Sequence, residues 1–301
     1  MNTPAGIAYI NQEYVPMSEA KISVLDWGFL RSDATYDVVH VWKGRFFRLD
    51  EHIDRFIASL EKIHMKLPVN RLDLEHILAE CVSRSGHEDA YVEMILTRGV
   101  SPTFARDPRD AVNQLICFAI PFGWILRPED REDGLSVIIS DIQRIPAASI
   151  DPRVKNYHWL DLVMGLYDAY AHDAKAAILS DAAGNITEGP GFNVFVVKGN
   201  EISTPGTGVL QGITRRSTIE IARELGYNVM ERDVACAEPL DADEVFATST
   251  AGGIMPITTL NGRDIGSGKM EPVTRHIHDV YWAKHNDDGW SESIASVLGR
   301  T

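Results

Sequence analysis

The sequence predicts a mixed α/β (α+β) chain of two domains, on three observations. Strand-like and helix-like segments are interspersed, but without the strict βαβ alternation of a doubly wound sheet. The stretch 121–134 carries two prolines, two glycines and a cluster of charges, which reads as a connection between compact bodies. A chain of 301 residues can bury one large core or, more readily, two moderate ones. The expected boundaries are a small N-terminal α/β domain at 1–120, a linker at 121–134 and a larger C-terminal α/β domain at 135–301.

Strand-like runs come first, at Gly6–Ile10, Lys21–Val24, Thr35–Trp42 and Phe46–Leu49. The Lys43-Gly44-Arg45 turn makes a hairpin of the last two. Asp50 is then placed to cap a helix whose Ile53, Phe56, Ile57, Leu60 and Ile63 follow the helical period. A second helix is expected from Leu72 to Ser83, with Ile77, Leu78, Cys81 and Val82 on one side. Strands Tyr91–Thr97 and Leu115–Ile120 complete the first unit. Beyond the linker the pattern gives a strand at Leu135–Ile142, a helix at His158–Tyr170 and strands at Ala176–Leu179 and Phe192–Val197. A helix at Thr214–Leu225, a strand at Glu244–Ala247 and a helix from Pro272 follow.

Composition narrows the function. Hydrophobic residues make up 45% and charged residues 24%, the balance of a globular protein rather than a disordered one. A net charge of −14 with no Lys/Arg-rich run argues against nucleic acid as a partner. Cys81, Cys117 and Cys236 are far apart and form no CxxC pair, so neither a disulfide framework nor a structural zinc site is expected. The first sixteen residues lack the basic and apolar regions of a signal peptide. The most apolar segment, Leu115–Leu126, is too short to span a bilayer. The expected compartment is the cytoplasm, with no membrane association. Neither a GxxxxGK[ST] phosphate loop nor a GxSxG elbow occurs. Gly206, Gly208 and Gly212 miss the dinucleotide fingerprint by one residue, and His276 and His278 are spaced for different helix faces. No metal is expected.

Four segments could carry chemistry. Leu210-Gln211-Gly212-Ile213-Thr214-Arg215 ends a loop and opens a helix, where free N–H groups and the helix dipole favour an anion; the plainer reading is an ordinary Thr cap. Thr248-Ser249-Thr250-Ala251-Gly252-Gly253 follows a strand with hydroxyls and glycines that allow close approach of a phosphate, or else forms a simple turn. In Thr187-Glu188-Gly189-Pro190-Gly191-Phe192-Asn193 a carboxylate is held at a strand end by a Gly-Pro-Gly turn, where it could bond a ring nitrogen or sit solvated. In Asp151-Pro152-Arg153-Val154-Lys155-Asn156, Lys155 lies just before an amphipathic helix; most lysines are surface groups.

Taken in this order, the four segments resemble the cofactor site of fold type IV pyridoxal-phosphate enzymes. The resemblance runs from about Gly6 to Trp282. It is strongest toward the (R)-selective amine transaminases, through Asp33-Ala34-Thr35-Tyr36-Asp37-Val38, the run Trp42 to Asp50, Ile150 to Asn156, and Thr250-Ala251-Gly252-Gly253-Ile254. It implies a two-domain fold with pyridoxal 5'-phosphate between the domains, and a homodimer whose partner chain completes each active site. It implies Lys155 as the catalytic Schiff-base lysine and Glu188 as the partner of the pyridine nitrogen. Arg55, Ile213, Thr214 and Thr250 become phosphate ligands, and Leu210 packs on the ring. Arg31, Tyr36, Val38, Tyr91, Phe104, Arg106, Trp159 and Ala251 would surround the substrate.

The activity so implied is transfer of an amino group between an (R)-amine or D-amino acid and a 2-oxo acid such as pyruvate. The rivals are a D-amino acid transaminase proper, an aminodeoxychorismate lyase, and a catalytically silent protein that binds a phosphate ligand. Branched-chain relatives resemble one another in a glycine-rich, arginine-containing segment; this chain has Thr35-Tyr36-Asp37-Val38-Val39-His40 there, which argues against branched-chain activity. Arg31 stands where amine-selective relatives often carry histidine.

Overall fold

The structure is a computed structural model, and it describes residues 3–301. The chain forms two compact units. The first comprises residues up to Gly123 together with Val154–His158 and His285–Thr301; the second comprises Trp124–Arg153 and Trp159–Lys284.

In the first unit, β1 (Ile7–Ile10) and β2 (Glu13–Pro16) form a hairpin over Asn11 and Gln12, both at positive φ. Asp26 accepts from the Gly28 N–H at 2.7 Å and starts the short helix α1 (Trp27–Arg31). Then follow β3 (Ala34–Trp42), β4 (Arg45–Phe47), α2 (Leu49–Lys62), α3 (Arg71–Ser85), β5 (Ala90–Val100) and β6 (Val112–Pro121). One antiparallel sheet runs C-terminal strand–β4–β3–β5–β6–β1–β2, the C-terminal strand being Ser291–Ser293. Val39, Val41, Val92, Met94 and Cys117 on one face pack with Ile53, Phe56 and Leu60 of α2 and Leu74, Leu78 and Cys81 of α3. The helical period is therefore satisfied as the sequence indicates. Asp50 is not the cap of α2: Arg48, in the left-handed region, occupies that position, and Asp50 lies in the first turn.

The second unit holds β7 (Leu135–Gln143), α4 (Leu160–Ala171), β8 (Ala176–Ser180), β9 (Glu188–Gly189), β10 (Phe192–Lys198) and β11 (Glu201–Pro205). After these come α5 (Ile213–Glu224), β12 (Asn228–Arg232), β13 (Glu244–Ser249), β14 (Gly253–Leu260), β15 (Arg263–Asp264) and α6 (Pro272–Ala283). The sheet order is β12–β11–β10–β13–β14–β7–β8, with β15 on β14 and β9 on β10. Pairings β11–β12, β14–β7 and β7–β8 are parallel, and the central ones antiparallel. Val137, Ile178, Val194, Ala247 and Ile257 share one core; Ile138, Ala177 and Leu179 pack with Leu162 and Ala169 of α4. β7 and β8 are thus apolar on both faces, as partly parallel strands must be.

The units depart from the contiguous domains that the sequence suggests. Residues 291–293 hydrogen-bond to β4, and Asn156 bridges Thr35 on β3, so both segments join the first unit. Residues 124–134 pack within the second unit rather than standing apart as a linker: Met270 donates its N–H to Glu132 O and Ile125 to Ala251 O. The expected strand Lys21–Val24 is exposed and irregular.

Candidate active site

Lys155 is held by the edge of β3. Its carbonyl accepts the Tyr36 N–H at 3.0 Å and the Thr35 hydroxyl at 2.6 Å. Asn156 braces the same turn, donating to Val154 O at 2.8 Å and accepting the His158 N–H at 2.9 Å. With the backbone pinned twice, the lysine amine lies over the Tyr36 ring, 4.3 Å from its centroid. Tyr157 stacks on Tyr36 at 4.4 Å and donates its hydroxyl to Glu93 at 2.7 Å. The register aligns Tyr36 with Ile95, Val38 with Glu93 and His40 with Tyr91, so these side chains share the sheet face opposite the core. Burial pushes the Glu93 carboxyl up, against the Tyr157 bond and the Lys155 charge. Burial and then Glu93 push the Tyr157 and Tyr91 hydroxyls far above their usual range. Glu93 and Tyr157 escape the sequence reading. An acid at an alternating position of an otherwise apolar strand was the available signal for Glu93.

Arg55 projects from α2 onto Asp37, a fully buried carboxylate on the opposite, core-facing side of β3. Its Nε and Nη2 donate to the two oxygens at 2.7 and 2.8 Å, and His52 Nδ1 lies 2.8 Å from the oxygen that Nη2 binds. Burial by itself would raise the Asp37 pKa. The charge of Arg55 and the bonds from His52 and Arg55 outweigh it, holding the carboxyl well below the usual range.

The other first-unit candidates scatter. Tyr36, under the Lys155 amine, and Val38 are buried, and Tyr91 is half-buried. Arg31 is exposed, with its guanidinium 3.6 Å from the centroid of the Trp27 ring. Phe104, 70% exposed at φ 55, and Arg106 lie on the loop between β5 and β6, and Arg106 is exposed too. A cleft of about 590 Å³ lined by Tyr9, Lys21, Val69, Asn113 and Gln114 contains none of the candidates. Its amide lining offers no acid–base pair.

In the second unit, Glu188 is 6% exposed, not a solvated turn acid. Pro190 and Gly191, the latter at φ 82, turn β9 back onto β10, pairing Glu188 with Asn193. Arg144 Nε donates to Glu188 Oε1 at 3.1 Å and its Nη1 to Asp161 at 2.6 Å, while the Leu210 N–H donates to Glu188 Oε2 at 3.0 Å. An arginine and a backbone N–H thus both aim their donors at the Glu188 carboxyl. Arg144 was not legible, because its partners are brought to it from a distant strand and helix.

Leu210 is fixed further by Asn193, which donates to its carbonyl at 2.9 Å. Gly212 caps α5 without a side-chain bond, so Thr214 is not the cap but the second helical residue. A Cβ at Gly212 would lie 2.3 Å from Asn193 Oδ1, so the approach needs glycine. The first N–H groups of α5 have no intrahelical partners. Ser217 Oγ on α5 itself and Thr248 Oγ1 on β13 are buried without hydrogen-bond partners. Thr250 and Ala251 follow β13 in a half-buried turn, and Trp159 is half-buried ahead of α4. Among the described residues no cluster of His, Cys, Asp and Glu could hold a metal, and no helix is long and apolar enough to cross a membrane.

Comparison with known proteins agrees with this architecture. A family model described as amino-transferase class IV matches residues 34–260. A putative branched-chain-amino-acid aminotransferase of Methanocaldococcus jannaschii is 32% identical over 91% of this chain and 94% of its own. A D-alanine aminotransferase of Bacillus licheniformis is 33% identical over 89% and 93%. The crystal structure of a T.th. branched-chain amino acid aminotransferase with pyridoxamine 5'-phosphate superposes with a TM-score of 0.91 at 28% identity, covering 97% of this chain and all of that one. With its two sheets and the helices mixed among their strands, the chain therefore belongs to the class IV aminotransferases, enzymes of fold type IV that use pyridoxal phosphate.

Proposed function

We propose that this aminotransferase moves an amino group between an (R)-amine or a D-amino acid and a 2-oxo acid such as pyruvate. The observation that carries the reading is the surface beside Lys155. Tyr36, Val38, Tyr91 and Tyr157 offer it an aromatic and apolar face. Such a face suits the apolar substituent of an amine or the methyl of alanine. The similarity to D-alanine aminotransferases supports the same hand of substrate.

The residues fit pyridoxal phosphate. The uncapped start of α5, the close approach at Gly212 and the partnerless buried hydroxyl of Thr248 suit a phosphate. Arg55, Ile213, Thr214 and Thr250 would hold it, and Leu210 would pack on the ring. When bound, the cofactor supplies an electron sink for the carbon that exchanges its amino group. Lys155 Nζ would anchor the cofactor and, once released, carry the proton to and from that carbon; the pinned backbone fixes its reach. Glu188, held in place by Arg144 and the Leu210 N–H, would hold a proton on the pyridine nitrogen. Arg31 and Arg106 are the candidates for the substrate carboxylate.

A homodimer completes this reading. Leu160, Met164 and Tyr167 are exposed along one side of α4, and Val24, Phe29 and Leu30 are exposed in the first unit. Apolar patches of this kind are covered in an assembly.

A panel of (R)- and (S)-1-phenylethylamine, D- and L-alanine and L-leucine, each with pyruvate or 2-oxoglutarate, tests the proposal. Preference for L-leucine and 2-oxoglutarate would replace it with a branched-chain activity, which the relative from Methanocaldococcus jannaschii makes the second reading.

A further inference from the structure

Arg215 has no part in the chemistry above, yet its side chain is only 2% exposed. A guanidinium is retained in such a place only when its donors are satisfied. From the first turn of α5 it reaches both ends of the connection between β11 and α5. Its Nη2 donates to Pro205 O at 2.9 Å, and its Nη1 to Gln211 Oε1 at 2.9 Å. Glu231 on β12 balances the charge at 3.1 Å, and the Nε faces Thr204 Oγ1 at 3.4 Å.

The segment so tied, Gly206–Gly212, contains three glycines and would be loose by itself. It carries two of the features on which the cofactor reading rests: the Leu210 N–H on Glu188, and the Gly212 turn that presents the start of α5. Only a planar fork can hold a carbonyl at one end of the loop and an amide at the other; a lysine ammonium is a point charge and cannot span both.

We propose that Arg215 is a positioning residue of the transamination site, clamping the Gly206–Gly212 loop so that Leu210 N–H stays on Glu188 and α5 stays open to the phosphate. The proposal rests on the cofactor reading given above. It assigns Arg215 no contact with cofactor or substrate. Its ion pair with Glu231 neutralises the buried charge and is separate from the clamp.

The test uses the full chain as Arg215→Lys, Gln211→Ala, Glu231→Gln and Thr214→Ala. Each is titrated with pyridoxal 5'-phosphate, melted without cofactor, and scanned for the pH dependence of its visible band when loaded. Arg215→Lys should bind the cofactor about tenfold more weakly, as expected for loss of a hydrogen bond to a charged group. Gln211→Ala, which keeps the arginine and its ion pair, should weaken binding in the same direction with an unchanged apo melting temperature. In both, the midpoint of the visible band should move, because Glu188 loses its backbone donor. A merely structural arginine would change the melting temperature and leave that midpoint where it is. Glu231→Gln should bind as wild type. Wild-type affinity and midpoint in Gln211→Ala, or equal weakening in Glu231→Gln, overturns the clamp. Thr214→Ala separates the two levels: if it too binds as wild type, the phosphate assignment is what fails. Should Arg215→Lys not fold, Gln211→Ala decides alone.

Discussion

Asp37→Asn is the sharpest perturbation that the first unit offers. Asp37 is fully buried and takes four bonds, two from Arg55, one from His52 and one from the Val38 N–H, at 2.7 to 2.8 Å. Asparagine keeps the shape and one acceptor oxygen but removes the charge. Arg55, 11% exposed, then loses the buried carboxylate charge that it bonds through two nitrogens. Removing one partner of a buried pair destabilises by about 3–5 kcal/mol. The lower end applies, because the edge of Arg55 touches solvent and the amide can still accept one N–H. At roughly 2–4 °C per kcal/mol for a chain of this size, a loss near 3 kcal/mol lowers the melting temperature by roughly 6–12 °C. A thermal melt of the apo-protein measures it. A shift under about 2 °C would mean that the pair is screened or replaceable, and the argument from burial would be wrong. The same variant weakens the bidentate grip that orients Arg55, so the affinity for pyridoxal 5'-phosphate should fall with the melting temperature.

Four further outcomes are expected. Borohydride treatment of the loaded protein should fix the cofactor to Lys155, and peptide mapping to any other lysine would remove the central assignment. Glu188→Gln should fold and retain some cofactor while slowing proton transfer, because an amide cannot hold a proton on the pyridine nitrogen; an unchanged half-reaction in stopped-flow takes Glu188 out of the mechanism. Arg106→Ala or Arg31→Ala should raise the KM for pyruvate and D-alanine far more than for (R)-1-phenylethylamine, whereas equal effects would send the search to the backbone amides near Thr250 and Ala251. Burial holds the His52 pKa below 6.5 despite the pull of Asp37. The folded state therefore resists a proton that the unfolded chain takes up, and stability that is full above about pH 6.5 falls as pH drops toward the folded value. Melting temperatures at pH 7 and pH 5 should show this slope reduced in His52→Gln.

Legibility in the sequence followed the physics of each element. α2 could be read because Ile53, Phe56 and Leu60 recur with the helical period against one continuous core. Its start could not, because Arg48 takes a left-handed conformation that no side-chain preference announces. Lys21–Val24 has the composition of a strand but is irregular and exposed, joined to neither sheet. β11, β12 and β14 went unread: Glu201–Pro205 and Asn228–Arg232 are strands because they pair with each other across the α5 crossover, not through local propensity. The site divides in the same way. Lys155, Glu188 and the opening of α5 sit in short turns whose residue types constrain the backbone. Arg144, Glu93 and Tyr157 act through partners 44 and 64 residues away in sequence, which no local window contains.

The return of the chain to its first sheet bears on synthesis as well as on architecture. Arg45 on β4 finds Ser291 at a separation of 246 residues. A ribosome working at about 5–20 residues per second therefore leaves that strand bare for roughly ten seconds or more while the whole second unit emerges. During that interval Arg45-Phe46-Phe47 presents unsatisfied backbone groups beside two phenylalanines, a template for pairing with another nascent chain. Arg45 at the rim, whose guanidinium later bonds Ser291 and Asp288, is the charge that protects the edge meanwhile. Its replacement by a neutral residue would be felt first as lost yield at high expression, before any change in the finished enzyme.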